Sequence, residues 1–153
     1  MKVKAFQWVP LWVVAFSLLA GGSLTHARAA EEMKIRALLV WGTDEATPPP
    51  GKNYQPLDPE IRKRLRALKW KNYFEVRHID FTASTTAQKN IPVSDKCSLD
   101  VRGLANSQVE VTLIGKGKVV TTVKGALPKN EILVPGGDAP NDTAWLVILK
   151  RLD

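Results

Sequence analysis

Residues 107–124, SQVEVTLIGKGKVVTTVK, decide the fold class, because two β-branched runs meet there across a glycine-punctuated turn. On the first arm Val109, Val111 and Leu113 alternate with Glu110, Thr112 and Ile114, the period of a half-buried strand. On the second arm Val119, Thr121 and Val123 alternate with Val120, Thr122 and Lys124, and Gly115-Lys116-Gly117-Lys118 supplies positive-φ positions for a tight hairpin.

Working outward, Cys97 to Arg102 reads as a strand that pairs with the hairpin. Ile91-Pro92-Val93 fits only an edge strand, since proline cannot donate to a ladder. Downstream, Glu131 to Val134 is a short strand, and Thr143 to Lys150 (TAWLVILK) is apolar enough for a central one, a possible further partner of the hairpin. Trp145, Val147 and Leu149 fall on one of its faces, Leu146 and Ile148 on the other.

Upstream, Ile35 to Trp41 (IRALLVW) is a near-continuous apolar run and predicts a first strand buried on both faces. Residues 47–53 hold three consecutive prolines and form an exposed connector. A single amphipathic helix follows. Asp58 is its N-cap, Pro59 occupies the first helical position, and Ile61, Leu65 and Leu68 recur as one apolar stripe. Asn72 is placed to end it in a left-handed cap. Tyr73 to Phe81 is the second strand, with Phe74, Val76 and His78 on one face and Tyr73, Glu75, Arg77, Ile79 and Phe81 on the other. The fold expected is α+β and β-rich: an antiparallel sandwich or partly open barrel of about six to eight short strands with one amphipathic helix.

Residues 1–29 carry the pattern of a removable export signal: Lys2 and Lys4, an apolar Trp8 to Ala20, and the small-x-small triplet Ala27-Arg28-Ala29. One β-rich domain over 30–153 is then expected, periplasmic or extracellular, the alternative being an N-terminal membrane anchor. Removing Lys2, Lys4 and Arg28 lowers the formal net charge of +7 to +4, too little to imply nucleic acid by itself. Cys97 is the single cysteine, so no internal disulfide is available, and its phase with Leu99 and Val101 marks it as a small buried hydrophobe.

The most distinctive surface is the outer face of the helix, where Arg62, Lys63, Arg64, Arg66 and Lys69 form a candidate partner-binding face for an acidic protein or an anionic envelope polymer. A solvated helix face explains the same residues, and the stripe is too narrow for stable membrane insertion. His78 has no second histidine or carboxylate spacing to make a metal site. Asp138, Asn141 and Asp142 in the loop 135–142 are too few oxygens for calcium and suit turn chemistry instead. No nucleophile elbow, phosphate loop, H-E-x-x-H or C-x-x-C motif is present. No catalytic residue, cofactor or metal is assigned.

LVWGTDE at 39–45, WKNYFEV at 70–76, SDKCSLDV at 94–101, LIGKGK at 113–118 and LVPGGDAPNDTAW at 133–145 give the chain a resemblance to a family of small secreted bacterial proteins of unknown function, each a signal peptide plus one β-rich domain. The resemblance spans nearly all of residues 30–153, implies export and transfers no functional residue. The function expected is a non-catalytic exported module for binding or structure. The competing expectation is a small periplasmic hydrolase drawing carboxylates from loops 42–53 and 135–142, namely Asp44, Glu45, Asp138 and Asp142. A third is a structural protein pairing through the Ile91–Val93 edge.

Overall fold

The computed structural model describes residues 31–138 and 144–153. The export signal and Asn141 and Asp142 lie outside them. The described residues form ten strands and one short helix: β1 (Glu32–Thr43), β2 (Gln55–Pro56), α1 (Pro59–Arg64), β3 (Asn72–Ser84), β4 (Gln88–Ser94), β5 (Cys97–Leu104), β6 (Gln108–Gly115), β7 (Lys118–Ala126), β8 (Ile132–Leu133), β9 (Gly136–Asp138) and β10 (Ala144–Arg151). They make two antiparallel sheets that are not closed into a barrel. Sheet A runs β2-β3-β1-β10-β8, with β9 also on β10, and sheet B is the meander β4-β5-β6-β7.

The hairpin is β6–β7. Gly115 opposes Lys118, leaving Lys116 (φ 49°) and Gly117 (φ 75°) as a two-residue turn with both residues left-handed, the geometry that matches strand twist. Val109, Val111 and Leu113 are buried as their alternation predicts. The second arm departs from prediction. A bulge opposite Leu113/Ile114 leaves Val120 without a partner, so Val119 pairs with Ile114 and shares its face, away from Thr121 and Val123. The hairpin pairs with β5, as expected, but not with β10, which lies in the other sheet between β1 and the short strands β8 and β9.

Two apolar clusters flank sheet A. Between the sheets, Met33, Ile35, Ala37 and Leu39 of β1 and Val147 and Leu149 of β10 pack with Leu99, Val101, Val109 and Val111 of sheet B. On the opposite face, Leu38, Val40, Leu146 and Ile148 pack under Leu57, Ile61, Leu65, Trp70 and Tyr73. Burial is continuous over residues 37–43 of β1 and 146–149 of β10, and follows from this double cover. The outward face of sheet B is instead a polar ladder: Asn90 Nδ2 donates to Asp100 at 2.7 Å, the Thr112 and Thr122 hydroxyls meet at 3.0 Å, and Lys124 pairs with Glu110 at 2.6 Å.

A second bulge, opposite Leu39/Val40, adds Val76 to β3 and reverses the phase predicted for the rest of that strand. Ile79, Phe81 and Ala83 therefore face the inter-sheet core, while His78 and Asp80 oppose Leu38 and Arg36 on the other side. The sheets are tied at one end by Arg151 of β10. Its guanidinium donates to Ser107 Oγ (2.8 Å) in the β5–β6 turn and to Asp153 (2.9 Å), with a longer contact to the Leu127 carbonyl (3.5 Å).

Candidate functional site

The segment joining β2 to β3 is built from its cap upward. Asp58 Oδ1 accepts from the Glu60 amide at 2.8 Å and, more weakly, from the Ile61 amide at 3.5 Å; Pro59 needs no amide partner, and Glu60 sits at the positive end of the helix. Leu57, Ile61 and Leu65 are buried on the outer face of sheet A.

The helix is shorter than the periodicity predicts. It stops at Arg64, with Leu65 as C-cap, and the chain tightens through a Leu68 amide to Leu65 carbonyl bond of 2.9 Å. Leu68 is consequently not the third residue of a buried stripe; it is 41 % exposed. Trp70 takes the buried place instead. Its ring lies over Gly42, where a Cβ would come within 2.6 Å of Trp70 Cδ1, so the missing side chain at residue 42 is what seats the indole. Asn72 begins β3 and does not form a left-handed cap, since its φ is not positive.

Arg62, Lys63, Arg64, Arg66 and Lys69 are all exposed, and Lys71 joins them. Residues 61–74 thus hold six cations and no carboxylate. Two of the five predicted residues are anchored. Arg64 pairs with Glu131, beside β8, and reaches the Asn130 carbonyl at 3.3 Å; the Lys69 ammonium rests 4.3 Å from the Trp70 ring centroid. Arg62, Lys63 and Arg66 stand on the water-facing side of the same segment. Because α1 has under two turns, these residues form a basic loop shoulder, not the continuous helical face expected.

Of the predicted carboxylates, Asp44 is taken up in local structure. Asp44 Oδ1 accepts the Lys71 amide at 3.3 Å, and its carbonyl accepts from Asn72 Nδ2 at 3.4 Å, so Asp44 closes the β1–β3 end. The Glu45 amide bonds Thr43 Oγ1. Asp138 lies in β9 opposite Ala144, which in turn opposes Gly42, two strands across from the strand that leads into Asp44. No group of three His, Cys, Asp or Glu among the described residues is placed to hold a metal. His78 Nδ1 meets Glu75 Oε1 at 2.6 Å on an exposed face.

Cys97 is half-buried beside a shallow depression between the β4–β5 and β6–β7 turns, with Lys96 and Lys116 on its rim. Burial pushes the thiol above its ordinary value, which keeps it in the unreactive protonated form. Burial likewise raises Tyr73, whose hydroxyl points to the Leu65 carbonyl at 3.5 Å.

One arrangement had no sequence signal. Register aligns Pro56, Phe74, Trp41, Trp145 and Gly137 in a row across sheet A, with Tyr54 edge-on to Trp41 at 6.1 Å and Phe74 tilted against it at 6.0 Å. Trp41 and Phe74 are buried and Trp145 is 37 % exposed, so the row is mainly the hydrophobic end of sheet A. Comparison of the chain with protein families, with curated proteins and with solved structures returns no match.

Proposed function

We propose that the protein is an exported, non-catalytic binding module, a two-sheet sandwich whose basic segment 62–71 contacts an anionic envelope component or an acidic protein. The observation that carries the reading is the segment itself: six cations, no intervening carboxylate, and a backbone held by the Asp58 cap, the Trp70–Gly42 contact and the Arg64–Glu131 pair. A clustered positive potential on a fixed scaffold attracts an anion without ordering a loop first. The carboxylate reading has less in its favour, since Asp44 is occupied in closing the β1–β3 end. Export rests on the pattern of residues 1–29, and N-terminal sequencing of the secreted protein should begin at Ala30.

The test is a crosslinked pull-down from the cell envelope with the wild-type chain and an Arg62→Glu, Lys63→Glu, Arg66→Glu variant. Arg64 is left in place because it ties the segment to Glu131. The variant should lose the captured material while keeping wild-type thermal stability. Equal capture by both chains would remove the reading.

A further inference from the structure

We infer that the partner of the basic segment is the surface of an anionic phospholipid bilayer, an inference that rests on the binding role assigned to residues 62–71. The added observation is Leu68. The helical period places it in the core, yet α1 ends before it and the turn at Leu65–Leu68 turns it out to 41 % exposure. It stands in sequence between Arg66 and Lys69, with Arg62 and Lys63 on the preceding turn and Lys71 beyond. A soluble polyanion offers phosphates or carboxylates to these cations and nothing to an exposed leucine. A bilayer interface offers both: head groups for the ammonium and guanidinium groups, and the acyl boundary for the isobutyl side chain. The long Arg and Lys stems let the charges stay at head-group level while the apolar tip goes deeper. The Lys69 ammonium lies over the Trp70 ring, within the same segment. No helix among the described residues is long and apolar enough to cross a membrane, so the contact is peripheral.

The experiment measures partition of the exported chain onto vesicles of phosphatidylcholine alone and of phosphatidylcholine mixed with phosphatidylglycerol, and separately onto immobilised inorganic polyphosphate. Three chains are compared: wild type, Leu68→Ser, and the Arg62→Glu, Lys63→Glu, Arg66→Glu variant. All three are purified from the exported fraction as chains that begin at Ala30, so the apolar and basic residues 1–29 make no contribution to partition. Wild type should prefer the phosphatidylglycerol vesicles. Charge reversal should weaken that partition by at least fivefold for each cation lost. Leu68→Ser should weaken it by roughly threefold to tenfold while leaving polyphosphate retention unchanged. Polyphosphate retention that the charge variant loses, with no preference for anionic vesicles or no effect of Leu68→Ser on them, overturns the bilayer inference and leaves the broader binding role standing. Wild-type behaviour of the charge variant on both supports overturns the bilayer inference, and joined to equal capture from the cell envelope it overturns the binding role as well.

Discussion

Sheets A and B are built by the same antiparallel rule and differ in how many faces they bury. The central strands β1 and β10 of sheet A are covered on one side by sheet B and on the other by α1, Trp70 and Tyr73. Sheet B has one covered face, and its other face is the ladder of Asn90–Asp100, Thr112–Thr122 and Glu110–Lys124. The difference teaches where this chain tolerates change. Over residues 37–43 of β1 and 146–149 of β10 both phases of the strand are core; along β5 and β6 of sheet B only one phase is.

The largest effect should therefore come from an outward-facing residue of sheet A. Ile148→Ala removes a side chain with no exposed surface under α1 and should cost about 2–5 kcal/mol in urea unfolding. Its counterpart in sheet B, Thr112→Val, should shift stability by less than about 0.5 kcal/mol; a comparable loss at both positions would break the comparison. Next comes Gly42→Ala, whose Cβ meets Trp70 at 2.6 Å; overpacking of this kind costs about 1–3 kcal/mol and should red-shift tryptophan emission as the indole is displaced.

A smaller effect is acid sensitivity on the exposed margin of sheet A. The Arg36 side-chain hydrogen bond holds the Asp80 carboxyl below its ordinary value. At Asp153 burial is the largest single influence and pushes the carboxyl up, but the hydrogen bond and charge of Arg151 together with the Lys34 amide hold it below its ordinary value. A depressed folded pKa means the contribution is complete above the unfolded carboxylate pKa and is lost as pH falls through the lower folded one. Stability measured downward from about pH 5 should therefore decline, and Arg36→Ala should flatten part of that decline, by a few tenths of a kcal/mol because the pair is exposed. The smallest effect is a gain: Lys116→Asn, at φ 49°, relieves left-handed strain and should raise the melting temperature slightly.

The same contrast governs what was legible in the sequence. Alternation in β6 and continuous apolarity in β1 and β10 translate directly into one and two covered faces, and the Lys116–Gly117 turn carries its own signal. The bulges at Val76 and Val120 were not legible, since an unpaired residue is defined by its partner strand and leaves no local mark. Helix length is not legible either. Ile61, Leu65 and Leu68 have helical spacing, but the helix ends at Arg64, Trp70 is the residue buried against Gly42, and Leu68 is left exposed. The cations of the candidate site are readable as a cluster; their arrangement on a short shoulder, and the leucine among them, follow from where the helix ends, which tertiary contacts decide.

The order of sheet A has a consequence for how the molecule assembles. Sheet B joins strands that follow one another directly, each across a short turn, so its pairing is local. The centre of sheet A joins β1 to β10, and Trp41 to Trp145, across most of the described chain. Closing so long a loop is entropically expensive before any contact rewards it. The meander should thus gain hydrogen-exchange protection first and serve as the template. Docking of β10, locked by Arg151 onto the Ser107 turn, would then be the last and slowest event, the moment at which both cores become dry together.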